Sequence, residues 1–172
     1  MNRLLYVKIG CYAHRMNIYL GHTLAWFAML LVIVMVLNVI SRYLFAVNLI
    51  WLQELVRFIH VFLFMGCAGY TLGQNDHVRV DIFYASMRPY VKAWIQLVGA
   101  LFIILPTALV IIWVSQDFVL RSWAIYESSS EYNGMPGIFI LKSMIFVFAI
   151  SLILESISIT AQSIEAIREQ RI

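Results

Sequence analysis

Charge is what this sequence has least of. Its 172 residues include 12 Lys and Arg and 9 Asp and Glu, so 12% are charged. That is half the roughly 25% of a soluble globular domain, and it excludes that class. The few cations gather into no basic patch, which excludes a nucleic-acid partner. Only two cysteines occur, Cys11 and Cys67. They support neither a disulfide framework nor a zinc site, and both are expected to be free thiols. Glycine-rich phosphate loops, nucleophile elbows and zinc spacings are absent, and the serine run 128–130 has no nearby base. An enzyme is not expected.

What fills the chain instead is apolar residues, 63% of the total, for a mean hydropathy of +0.87. They form four long runs, at about 23–44, 55–73, 94–114 and 138–159. Each approaches the roughly 20 residues that cross ~30 Å of hydrocarbon as a helix. A helix pairs its own backbone groups, and the alternating pattern of a membrane barrel is missing. The basic segment before the first run (Arg3, Lys8, Arg15) and the length of that run predict an uncleaved anchor, not a signal peptide. Cations then set orientation. Arg3, Lys8, Arg15, Arg79, Arg88, Lys92, Arg168 and Arg171 fall on one side, against Arg42, Arg57, Arg121 and Lys142 on the other. Both termini are therefore expected in the cytoplasm.

The expected fold is an all-α membrane protein forming one domain, 1–172. It has four transmembrane helices, with an interfacial amphipathic helix between the second and third. Residues 1–21 read as a basic lead-in lying along the cytoplasmic surface. In the connection 75–92, apolar Val80, Ile82, Phe83 and Met87 oppose Asp81, Arg88 and Lys92, predicting a surface helix interrupted near Pro89. Pro106 should kink the third span or be accommodated by its neighbours. In the second span Gly66, Gly69 and Gly73 share one helical face suited to a tight helix contact, internal or with a partner. The last span carries Ser151, Glu155, Ser158 and Gln162 as a polar stripe.

Glu54, Arg57 and His60 are spaced three apart at the mouth of the second span. A charge there is costly, about 2.5–3.5 kcal/mol near a bilayer centre. The polar residues inside the spans make no midplane pathway, so transport by this chain alone is not expected. The histidines raise a competing reading, a haem-binding four-helix electron-transfer subunit with axial ligands from facing helices.

From Asn38 to Asp81 the chain reads NVISRYLFAVNLIWLQELVRFIHVFLFMGCAGYTLGQNDHVRVD. Arg42-Tyr43 ends the first span, followed by Trp51, Gln53-Glu54-Leu55, the stretch from Gly66 to Gly69, and His77-x-x-Val80-Asp81. This combination resembles the small membrane subunit of tripartite ATP-independent periplasmic (TRAP) transporters, the DctQ-like family. Gln53 stands where the family has the first of two glutamates, and Glu155 where it often has glutamine.

The resemblance implies a non-catalytic, multi-pass subunit of the bacterial inner membrane. Its partners would be a large elevator-type permease subunit, a periplasmic solute-binding protein and membrane lipids. No cofactor is expected on this chain, with sodium bound by the large subunit and an organic-acid-type solute delivered to it. Under this reading Arg42, Trp51, Glu54, Arg57 and His60 form either an internal network, with Glu54 pairing Arg57, or a subunit contact. His77, Arg79, Asp81, Arg88 and Lys92 anchor the interfacial segment or hold lipid headgroups. Asp117, Glu127 and Glu131 in the outward connection 115–137 are candidates for docking the binding protein, with a merely solvated loop as the alternative.

Overall fold

The computed structural model describes residues 2–74 and 87–169. Four helices are long and apolar enough to cross a membrane: Lys8–Tyr43, Ile50–Gly73, Pro89–Ala124 and Ile138–Arg168. Their elements are α1 (Asn2–Tyr43), α2 (Ile50–Gly66), α3 (Ala68–Gly73), α4 (Pro89–Gly99), a π-helical turn (Ala100–Ile104), α5 (Leu105–Ala124) and α6 (Ile138–Glu169). Among the described residues the only extended pairing is an isolated bridge between Ser128 and Pro136.

The bundle buries several polar side chains among its apolar ones and exposes large apolar residues. Asn17, Glu54, Ser151, Glu155, Ser156 and Ser158 are buried, while Trp26, Leu37, Phe102 and Trp113 lie on the outside. An apolar exterior of this extent is stable only against lipid or another apolar surface. Inside, helices approach through small side chains: Ala100, Ala108 and Ala149 are almost wholly inaccessible. A tighter apolar cluster of Val34, Leu52 and Ile59 joins α1 to α2.

The basic lead-in does not lie flat as a separate segment. It is continuous with the first span, and α1 runs for 42 residues, about 63 Å at 1.5 Å per residue. Tertiary packing explains the continuity. Gly10, Ala13, Asn17 and Gly21 are buried on one stripe. A Cβ on Gly10 would come within 2.8 Å of Ala161 Cβ on α6. Glycine at these positions removes the atom that would hold the helices apart.

Pro89 opens α4 at the first helical position, and Arg88 before it is extended (φ −62, ψ 145), as a residue preceding proline prefers. The body of the expected interfacial helix falls in 75–86, outside the described residues. Pro106 is accommodated by its neighbours. Proline deprives Phe102 of its usual donor, and the helix widens just before it. There the Leu105 N–H reaches back to the Ala100 carbonyl, to which Ser156 Oγ on α6 also donates at 2.8 Å. The helix α6 touches every other described helix.

Candidate functional site

Two buried carboxylates organise this bundle from opposite ends. Glu54 lies on the second turn of α2 and is 2% exposed. Its carboxylate accepts the Ser129 hydroxyl on one oxygen and the Met135 backbone N–H on the other, at 2.5 Å. Both donors come from the connection between α5 and α6. Gly134 makes this possible, since a Cβ there would strike the Ser129 hydroxyl and lie 2.8 Å from Glu54 Oε2. The same connection closes on itself through Ser129 N–H to the Met135 carbonyl and Gly134 N–H to the Glu131 carbonyl. Asn133 turns its tip with a positive φ of 66°. The result is a small loop, residues 128–136, pinned at its base by a side chain from the second span.

This arrangement corrects the expected Glu54–Arg57 pair. Arg57 and Arg42 are both exposed, and neither guanidinium reaches ion-pair distance of Glu54. Long cationic side chains extend toward water at the end of a span. The inward-facing carboxylate takes hydrogen bonds as its direct partners, and the Arg57 charge acts on it only from beyond ion-pair distance. His60 is exposed and stacks on Phe64 with ring centroids 4.3 Å apart. Trp51 is 44% exposed on the first turn of α2.

At the other end, Glu155 on α6 is 1% exposed. Its Oε1 lies 3.0 Å from His14 Nδ1, and its Oε2 accepts Asn17 Nδ2 at 2.9 Å. The Asn17 amide also donates to the Ser151 carbonyl at 3.2 Å. The glycine face of the second span closes this knot. A Cβ on Gly69 would sit 2.6 Å from the Ser151 carbonyl oxygen, and one on Gly73 would sit 2.6 Å from Glu155 Oε1. Gly66 faces Leu24 of α1 in the same way. The glycine face therefore packs within the chain, against α1 and α6. His14 and Asn17 went unnoticed in the sequence because they lie in the segment read as a surface lead-in. The Gly10-Ala13-Asn17-Gly21 stripe was the signal available.

The remaining candidates are dispersed. Glu127 pairs with Lys142, whose ammonium also lies 4.0 Å above the Phe118 ring. That ammonium holds the Glu127 carboxyl below its ordinary range. Asp117 and Glu131 are exposed; Asp117 sits on α5 and Glu131 within the pinned loop. Arg88 is exposed ahead of α4, and Lys92 is partly buried within it. His77, Arg79 and Asp81 lie outside the described residues. His22 packs against the Tyr70 ring at 5.8 Å, so the described histidines have separate partners and do not face one another.

The geometry is that of a bundle whose buried polar groups tie helices and a loop together. Among the described residues no group of three or more His, Cys, Asp or Glu is gathered as a metal site would require. The model of the DctQ component of tripartite ATP-independent periplasmic transporters matches residues 31–169, a span that contains the Glu54 clamp, the pinned loop, the glycine face and Glu155. No curated protein and no solved structure matches. The chain belongs to the DctQ family, and it is the small, multi-pass membrane subunit of a TRAP transporter.

Proposed function

We propose that this subunit is a non-catalytic scaffold. It packs against the large elevator-type permease subunit in the bacterial inner membrane, with both termini in the cytoplasm. The complex takes up an organic-acid-type solute, coupled to sodium bound by the large subunit, from a periplasmic solute-binding protein. One observation carries this reading beyond the family. The two buried carboxylates are each held by hydrogen bonds from other segments, Glu54 at one end and Glu155 at the other, and among the described residues no hydrogen bond joins the two groups. A chain built this way holds a shape and moves nothing through itself.

Co-expression with the large permease subunit and purification in mild detergent test the proposal. The expected result is recovery of both chains at a fixed ratio. Sodium-driven, binding-protein-dependent uptake in proteoliposomes should then require both. A small chain recovered alone, or a large subunit that transports equally well without it, overturns the scaffold role.

A further inference from the structure

Opposite its glycine face, the second span presents a stripe that is mostly polar. Gln53, Arg57, His60, Phe64, Cys67 and Thr71 follow one another at three- and four-residue spacing, so they lie along one side of the helix. Gly66 and Gly69 on the other side are buried. Gln53 donates to Asn48 Oδ1 at 2.6 Å, and the Thr71 hydroxyl donates to carbonyls of the preceding turn. Arg57 and His60 are both exposed, and neither has a hydrogen-bond or ion-pair partner among the described residues. Phe64, on which His60 stacks, is 63% exposed.

Depth makes this stripe costly against lipid. The span Ile50–Gly73 has 24 residues, about 36 Å of helix, of which ~30 Å is hydrocarbon. His60 stands ten residues in from Ile50, so the nearer boundary is about 9 Å away or more. Arg57 can extend to that boundary, but the shorter imidazole cannot. At the same ten-residue distance from the outer ends of their helices, Ile33 on α1 and Val114 on α5 are exposed and apolar. Acyl chains offer an imidazole N–H no acceptor, and ionisable side chains within spans normally face the interior of a bundle. The outward side of α2 is therefore interior to a larger assembly.

A second copy of this chain does not fit that role. Two copies share one orientation in the membrane, so a two-fold contact through this stripe would set Arg57 against Arg57 and His60 against His60. The exposed groups call for an acceptor instead. A carboxylate takes hydrogen bonds from a guanidinium and from an imidazole N–H alike, and Phe64 adds an apolar anchor one turn deeper. We infer that a transmembrane helix of the large permease subunit lies along this stripe and sets an acidic side chain against Arg57 and His60. That partner is the one the scaffold role requires, so this contact stands only if that role does.

Two measurements on the full-length chain and its complex test this contact. His60→Leu should leave the Tm of the small chain alone unchanged or raised, since leucine suits an apolar exterior. The same variant should weaken the complex about tenfold, the scale of one interhelical hydrogen bond in a bilayer. With p-benzoylphenylalanine in place of Phe64, illumination of native membranes should cross-link the chain to the large subunit. Wild-type chains that do not co-purify overturn the scaffold role and this contact with it. Chains that co-purify, with a His60→Leu complex of full affinity, leave the scaffold role standing and overturn this contact alone. So does a position 64 that cross-links only to lipid or to a second small chain. Should His60→Leu fail to fold, the cross-link decides.

Discussion

At Glu54 both carboxylate oxygens face donors that lie 75 and 81 residues further along the chain. Glu54→Ala removes the acceptor and strands the Met135 N–H and the Ser129 hydroxyl. An unpaired buried donor costs about 1–3 kcal/mol. Glu54→Gln retains one acceptor oxygen, and the serine hydroxyl can turn to accept from the new amide. We expect a clear fall in Tm and faster proteolysis within 128–136 for the alanine variant, and a smaller effect for glutamine. Equal losses would show that the charge itself, not the hydrogen-bond pattern, holds the loop. Glu127 allows a pH prediction. Its carboxyl is held below the ordinary glutamate range by Lys142, so it binds its proton less readily when folded. Its contribution is present above the unfolded value of about 4.3 and is lost as pH falls through the folded one. The pair is partly solvated, 31% exposed at the glutamate, so its contribution is small. Wild type and Glu127→Gln should therefore differ slightly in Tm at neutral pH and converge under acid conditions below the ordinary range. A difference that persists there contradicts the pairing.

Among the elements, α3 and α4 each carry a glycine that separates two effects. At Gly73 a Cβ would lie 2.6 Å from Glu155 Oε1 and 3.0 Å from His14 Cε1, while at Gly99 it would meet nothing within 4 Å. Gly73→Ala should destabilise by about 1–3 kcal/mol through overpacking. Gly99→Ala should be neutral or stabilise by up to ~1 kcal/mol through helix propensity. Thermal melts of the two single variants decide, and two shifts of the same sign would refute the packing account. The same elements show what the sequence can disclose. Four spans were legible because apolar runs of membrane length are a property of the chain itself, and the glycine face was legible from its helical spacing. The partners were not. Which side chain meets Glu54 depends on a loop entered only after the next span, and the continuity of α1 depends on where Ala161 and Ser158 lie on α6. The spacing of Glu54 and Arg57 suggested a local pair because neighbours on one helix are all that spacing can report.

For the molecule as a whole, the decisive arrangement is that the last helix is the one every other described helix touches. It supplies Glu155 to His14 and Asn17, the Ser151 carbonyl to Asn17 and the Ser156 hydroxyl to the widened turn before Pro106. A chain ending before Ile138 keeps three apolar spans but leaves these groups unanswered in a low-dielectric interior, where unpaired polar groups are most costly. Such a truncated chain should be rapidly degraded in cells, and pulse-chase labelling against the full chain would reveal it. Comparable lifetimes would mean that the first three spans are self-sufficient. Seen as a process in time, this gives synthesis an unusual order. Of the four spans the keystone leaves the ribosome last, and the earlier helices wait in the bilayer with their polar faces open. Emergence of the fourth span and closure of the bundle thus become nearly the same event, so that only a chain carrying all four spans presents a settled surface for assembly.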